Sequence, residues 1–243
     1  MGKIDINNFG TYSNTNQNKE KTKFFSLKND SDVAQIRFCH NTIDDIEGVA
    51  LHSVKDDQGI TRKISCLRDY EGPLDNCPFC KYNSEHPEDK RIGGVQNRIF
   101  LTLVEYKQDV EGKISYEKKV WERGAKFKKE LDGLVKRYNP LCKQVFEIER
   151  QGQPGDSSTK YGIYPIPGGI EEFPLTKADL ENKSVVGSIV AVKTVDDMNT
   201  FIQTGSFLKK RNTETNTTGQ TSTDTQQPTS EDLPFTQPVR RRL

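Results

Sequence analysis

The chain has few of the features that mark membrane proteins, secreted proteins or chains packed along their whole length. Apolar residues make up 32% of its 243 residues, and its mean hydropathy is -0.79. That apolar content is low for a fully globular chain, so part of it is expected to remain unstructured. No apolar run approaches the length of a membrane helix, and residues 1–17 are too polar for a signal peptide. We therefore expect a cytoplasmic protein without membrane contact.

The five cysteines are an odd number, so they cannot all pair within one chain. An intracellular protein seldom uses disulfides, which leaves metal binding or buried free thiols. The sequence also lacks the motifs of several enzymes: it has no HExxH, no Walker loop, and no His-x-Glu paired with the Cys-Pro-x-x-Cys spacing of nucleobase deaminases. We therefore expect a binding protein and not an enzyme. The alternatives are a zinc-dependent nuclease and an adaptor that binds proteins through a zinc knuckle.

The formal net charge of +1 conceals an uneven distribution of charge. The window from Lys118 to Lys143 holds nine basic and three acidic residues, a net charge of +6. The window from Asn212 to Phe235 holds four acidic residues and no lysine or arginine. Such asymmetry is common in proteins that bind nucleic acids.

Composition divides the chain into three parts. Residues 1–22 are polar and predict a flexible N-terminal arm, and residues 23–208 form the predicted core. Residues 209–243 are predicted to be a disordered tail, because residues 212–230 contain no large aliphatic side chain that could pack into a core.

Within the core, apolar residues mostly alternate with period two, which predicts β-strands. The segment Ala125–Tyr138 instead repeats apolar residues at three- and four-residue steps and predicts a helix with lysines on its other face. Shorter helices are predicted at Lys177–Asn182 and Asp196–Thr204. This pattern predicts a mainly β fold, a small barrel with insertions. The predicted strands are Val33–His40, Ile46–Lys55, Thr61–Arg68, Arg98–Tyr106, Ser115–Glu122, Gln144–Arg150 and Tyr161–Ile166.

The most specific motif is Cys77-Pro-Phe-Cys80, predicted to be a tight turn. Its two thiolates, three positions apart, can bind one zinc ion with tetrahedral coordination. Cys66 and His52 lie on the two strands of a predicted hairpin, so they can converge with this turn. One nitrogen and three sulfurs form a closed, structural ligand set without an open position for catalysis. We predict one zinc ion in a subdomain of about residues 50–92. The alternatives are ordinary buried thiols or, for the fourth ligand, His86, His40 or Cys39.

The run from His52 through Cys66 to Asp75-Asn76-Cys77-Pro78-Phe79-Cys80 resembles the zinc subdomain of the single-stranded DNA-binding proteins of T-even phages. The wider segment 25–166, and above all Trp121-Glu-Arg-Gly-Ala-Lys-Phe-Lys and residues 138–144, is similar to the versions from phages of Gram-positive bacteria. The resemblance implies a five-stranded OB-fold barrel with a zinc-binding insertion. It also implies a protein that coats and protects single-stranded DNA in the bacterial host during replication, recombination and repair.

Self-association on DNA is a further implication of this resemblance. The family uses a compact Lys/Arg-Ser/Thr motif in its arm for that purpose, and Lys19-Glu20-Lys21-Thr22-Lys23 departs from it.

Binding of single strands without sequence preference requires cations for phosphates and flat aromatic faces for bases. The core interleaves both kinds of residue, although the phenylalanines of the strands follow the pattern of core residues. Tyrosines and the single tryptophan with charged neighbours are the better candidates for stacking. The predicted DNA-binding residues are Arg62, Lys63, Arg68, Tyr70, Tyr82, Arg98, Tyr106, Lys119, Trp121, Arg123, Lys126, Lys128 and Lys129.

The predicted tail contains Glu231-Asp232-Leu233-Pro234-Phe235, which resembles the acidic, apolar-tipped peptide at the end of bacterial single-stranded DNA-binding proteins. Phe235 and Leu233 can fill a pocket while the acids meet basic residues of a partner. We predict that Asp232, Leu233, Pro234 and Phe235 recruit replication and recombination proteins. The eight residues that follow Phe235 depart from the bacterial pattern.

Overall fold

The computed structural model describes residues 22–69, 71–156, 158–168 and 171–207. Residues 1–21 of the predicted arm, Tyr70, and the tail with Asp232, Leu233, Pro234 and Phe235 lie outside the described residues. Among the helices of the described ranges, none combines the length and the apolar character that a membrane span requires.

The fold is mainly β, as predicted, and it is built on one sheet of seven antiparallel strands. Each predicted strand is present, with ends that differ by a few residues. The alternating pattern forms strands because it puts the apolar side chains on one face of the sheet. The strands are β1 (Val33–Phe38), β2 (Glu47–Lys55), β3 (Thr61–Ser65), β4 (Val95–Gln108), β5 (Ile114–Gly124), β6 (Val145–Gln151) and β7 (Lys160–Ile166).

The long strand β4 organises the sheet. One of its edges pairs with β5 between Arg98 and Gln108. Its other edge pairs first with β2, over residues 95–100, and then with β1, over residues 103–106. The sheet therefore branches into one arm of β1, β6 and β7 and a second arm of β2 and β3.

Four α-helices accompany the sheet: α1 (Pro78–Glu85), α2 (Lys128–Arg137), α3 (Lys177–Leu180) and α4 (Val195–Thr204). The predicted helix Ala125–Tyr138 is divided into a 3-10 turn, Ala125–Phe127, and helix α2. The prediction of a simple turn at Cys77–Cys80 was wrong, because this motif begins helix α1. Pro78 occupies the first helical position, where its missing N–H leaves no hydrogen bond unmade.

Two main groups of buried side chains stabilise the two arms. The first lies between β1, β4, β5 and β6 and the segment of the 3-10 turn and α2, to which Phe127 and Leu131 contribute. The second joins β2, β3 and α1 to α4, whose residues Met198 and Phe201 pack near Phe79. We call this second group, together with its four elements, the metal lobe.

Candidate metal centre and nucleic-acid interface

Three elements of the metal lobe bring the four predicted ligands together. His52 lies on β2, where it pairs with Ile64 of β3 and with Val95 of β4. Cys66 directly follows the end of β3. Cys77 is the N-cap of α1 and Cys80 belongs to its first turn. Residues three apart lie on the same side of a helix, so both α1 cysteines face the hairpin.

The four ligand atoms lie within 4.8 Å of one another, so the cluster could hold one metal ion. The His52 Nε2 atom is 3.5 Å from the Cys77 Sγ atom and 3.6 Å from the Cys80 Sγ atom. The Cys66 and Cys80 sulfurs are 3.6 Å apart. His52, Cys77 and Cys80 are buried, whereas Cys66 is partly exposed.

Hydrogen bonds and burial shift the pKa values of the three thiols in different directions. A hydrogen bond from the Cys66 thiol lowers the pKa of Cys77 against the opposing effect of burial, and the contact with His52 lowers it further. The same bond, with burial, raises the pKa of Cys66, and burial raises that of Cys80. Metal binding to this cluster requires its thiols to lose their protons, so the affinity for a cation should depend on pH.

The alternative ligands lie elsewhere. The two ring nitrogens of His40 contact the Asp45 carbonyl oxygen and the Thr102 backbone N–H. His86 stacks on Tyr82 with ring centroids 3.8 Å apart. Cys39 is buried beside Val104 and Tyr106 in a separate apolar cluster. Within the described residues, the cluster with metal-ligand geometry is that of His52 and the three cysteines.

Two of the aromatic residues predicted to stack on bases do not have a free ring face. Tyr106 is 5% exposed, and its hydroxyl donates a 2.7 Å hydrogen bond to the Pro174 carbonyl oxygen. Trp121 is 2% exposed and packs edge-on against Phe127. The prediction for Tyr106 and Trp121 was therefore wrong, because both rings belong to the core. Tyr82 has one face on His86.

Most of the predicted cations already have acidic partners. Lys63 and Arg98 both pair with Glu122, and Lys119 pairs with Glu105 and Glu117. Within the described ranges, four predicted cations have no carboxylate partner. These four are Arg68, Arg123, Lys126 and Lys129. The other two predicted cations are paired: Arg62 with Asp56, and Lys128 with Asp132 at 2.7 Å.

Arg123 lies in an aromatic cage. Its guanidinium carbon is 4.3 Å from the ring centroid of Tyr161, 5.1 Å from that of Trp121 and 5.3 Å from that of Phe127. Its Nε atom is buried without a hydrogen-bond partner among the described residues. Burial lowers the pKa of Arg123, and the three ring faces offset part of that desolvation by cation–π attraction.

The sequence prediction missed Phe24 as an aromatic candidate. Residues 23–25 run along the free edge of β5, where the Phe25 N–H donates to the Val120 carbonyl oxygen at 2.9 Å. Phe25 is consequently 4% exposed, whereas Phe24 is 46% exposed and lies 5.3 Å from the Lys63 ammonium. Adjacent residues of an extended segment point in opposite directions, so the Lys-Phe-Phe run was the signal that could have identified Phe24.

Several of these side chains meet at one end of the sheet. Arg98 is paired with Gly124, at the end of β5. Lys63 and Arg98 converge on Glu122, which links the metal lobe to β5. Lys126 and Lys129 follow within the next few residues and are exposed. We call this end of the sheet, with Phe24, the basic end.

No family model matches the chain, and no curated protein matches it significantly.

Proposed function

We propose that this protein binds single-stranded DNA without sequence preference and protects it during phage replication, recombination and repair. The observation that carries the proposal is the basic end. There, cations and the exposed Phe24 ring lie where the metal lobe meets β5. Cations that follow a backbone beside a flat aromatic face are the elements of sequence-tolerant binding to single strands.

The order of the strands supports an OB fold. A Greek key has three consecutive strands side by side and a fourth that returns next to the first. If the β2–β3 hairpin is an insertion, β1, β4 and β5 are the three strands, and β6 returns beside β1. Strand β7 extends this order, and Tyr161 on β7 contacts Trp121 on β5 with ring centroids 5.3 Å apart. We infer a partly open five-stranded barrel, as in OB folds.

The donor set and its spacing support zinc as the metal. With Zn–S bonds of about 2.3 Å and a Zn–N bond of about 2.0 Å, tetrahedral geometry separates two sulfurs by about 3.8 Å and a sulfur from a nitrogen by about 3.5 Å. The corresponding distances in the cluster are 3.6 Å, 3.5 Å and 3.6 Å. Four protein ligands complete this coordination, so we assign the ion a structural role and no part in catalysis.

The proposal is tested by fluorescence anisotropy with labelled single-stranded and duplex oligonucleotides across a salt series. We expect binding to single strands that falls steeply with salt, because neutralised phosphates release counterions, and much weaker binding to duplex. The double variant Lys126→Ala/Lys129→Ala should reduce the salt slope for single strands by about 1.4 if each lysine contacts one phosphate.

A matched control is Lys107→Ala/Lys113→Ala. These two lysines are exposed at the β4–β5 turn, at the opposite end of β4 from Arg98, a separation of about 30 Å along the strand. The control should keep the salt slope of the unmodified protein. Equal affinity for duplex and single strands, or equal slopes for the two double variants, would refute the proposal. Cleavage of the oligonucleotide in the presence of divalent metal would favour the nuclease alternative.

A further inference from the structure

His52 has a hydrogen bond that decides which of its nitrogens faces the cluster. Its Nδ1 atom lies 2.9 Å from the carbonyl oxygen of Gly93. A carbonyl oxygen only accepts hydrogen bonds, so Nδ1 carries the ring proton and donates it. Nε2 is then the unprotonated nitrogen, and it is the atom within 3.6 Å of the Cys77 and Cys80 sulfurs.

Position 93 requires glycine. Its φ is +29°, and a Cβ atom at this position would lie 2.8 Å from the Ser53 carbonyl carbon. Ser53 is the residue after His52, and its backbone is held in β2 by pairing with β3. The Ser53 backbone cannot move away without disturbing the strand that carries His52. The absence of a side chain at Gly93 therefore allows its carbonyl group to reach His52.

Asn83 fixes the segment that contains Gly93. Its Nδ2 atom donates a 2.8 Å hydrogen bond to the Ile92 carbonyl oxygen, and its Oδ1 atom accepts a 2.8 Å bond from the Ile92 N–H. Nδ2 also lies 3.4 Å from the Gly93 carbonyl oxygen. Asn83 follows Cys80 by three positions on α1, so the helix that supplies two ligands also holds the backbone that orients a third.

We propose that Asn83 and Gly93 are positioning residues of the metal centre, which select the His52 tautomer that presents Nε2 to the ion. This inference rests on the proposed metal centre and adds the residues that orient its nitrogen ligand. Groups that accept a hydrogen bond from the ring N–H of a metal-bound histidine fix its orientation, and loss of such outer partners typically lowers metal affinity about 10- to 100-fold.

The test is a competitive cobalt titration of the full chain and of Asn83→Ala, with Ser84→Ala as control. Ser84 is the next residue of α1, and its hydroxyl donates a hydrogen bond to the Lys81 carbonyl oxygen. We expect Asn83→Ala to lose about 10- to 100-fold in affinity while keeping the thiolate-to-cobalt absorption of three cysteines. Ser84→Ala should keep the affinity of the unmodified chain.

A second pair of variants addresses the glycine. Gly93→Ala should lose at least as much affinity as Asn83→Ala. Gly94→Ala, where an added Cβ atom meets nothing within 4 Å, should retain the original affinity. If Gly93→Ala does not fold, the comparison of Asn83→Ala with Ser84→Ala, together with NMR detection of the His52 ring proton, still tests the inference.

That readout is long-range ¹H–¹⁵N NMR of the zinc-loaded protein, which reports the proton of each ring nitrogen. We expect His52 to carry its proton on Nδ1. A proton on Nε2, or equal cobalt affinities for Asn83→Ala and the unmodified chain, would overturn this inference and leave the metal centre intact. If the unmodified chain bound neither cobalt nor zinc, the proposed metal centre itself would fail and the inference with it.

Discussion

The buried histidine outside the metal lobe makes folding stability depend on pH. His40 is 2% exposed. Its Nε2 atom accepts a 2.8 Å hydrogen bond from the Thr102 N–H, so its proton is on Nδ1, 3.1 Å from the Asp45 carbonyl oxygen. A second proton would have to displace the Thr102 bond. Burial lowers the pKa of His40 from 6.5 to about 4, against smaller opposing contributions from Asp45.

The size of the effect follows from this difference in pKa. The unfolded chain takes up a proton near pH 6.5, whereas the folded chain does so near pH 4. Each unit of pKa corresponds to about 1.4 kcal/mol. Stability is therefore complete above the unfolded pKa and falls as the pH drops towards the folded pKa, by about 3 kcal/mol in all from this residue.

The assay is urea unfolding of the unmodified chain and of His40→Gln from pH 7 to pH 4.5. Glutamine is neutral throughout and has an acceptor for the Thr102 N–H. We expect the free energy of unfolding of the unmodified chain to fall more steeply than that of His40→Gln as the pH drops. His86→Gln is the control, because His86, the residue after the end of α1, is partly exposed. Parallel pH profiles for the unmodified chain and His40→Gln would refute the reasoning.

Three further predictions concern the metal centre, the basic end and the tail. Cys77→Ser should lose the metal ion and have a lower melting temperature, because metal-binding free energy contributes to folding. Metal analysis of the unmodified protein, purified without chelator, should find zinc, and less than about half an equivalent per chain would contradict this prediction. Phe24→Ala should weaken binding to single strands by about 1–3 kcal/mol, whereas Tyr164→Ala, equally exposed on β7, should not. Phe235→Ala should spare DNA binding and reduce recovery of replication or recombination proteins in pulldowns. Unchanged recovery, combined with loss on replacing Arg240–Arg242 by alanine, would assign recruitment to the basic terminus.

The strands and the metal cluster could be predicted because their signals are local. Period-two alternation identified all seven strands, and the hairpin of β2 and β3 explained why His52 approaches Cys66. Helix α1 was missed because it is short and begins at Cys77 and Pro78, two residues that are also typical of a turn. The helix has few apolar residues, so it lacks a clear apolar face in the sequence. Pro78, at the first helical position, was the feature that indicated a helix.

The roles of Trp121 and Tyr106 could not be predicted from neighbouring charges. Lys119, Trp121 and Arg123 share one face of β5 because they alternate along the strand. That face is covered at Trp121 by Phe25, which lies far away in sequence. Basic residues beside an aromatic ring in sequence therefore do not show whether the ring faces solvent. The order of the strands could not be predicted for the same reason, because β1 pairs with β4 and β6, which lie far away in sequence.

Helix α4 belongs to the metal lobe, although it lies more than a hundred residues after α1 in the chain. During synthesis, the segment of β2, β3 and α1, which contains the four metal ligands, leaves the ribosome well before Met198 and Phe201 of α4. Until those residues follow, the apolar surface around Phe79 has no cover from α4. A nascent chain or a fragment that ends before residue 195 would consequently expose this surface, and such fragments should be prone to aggregate and to attract chaperones.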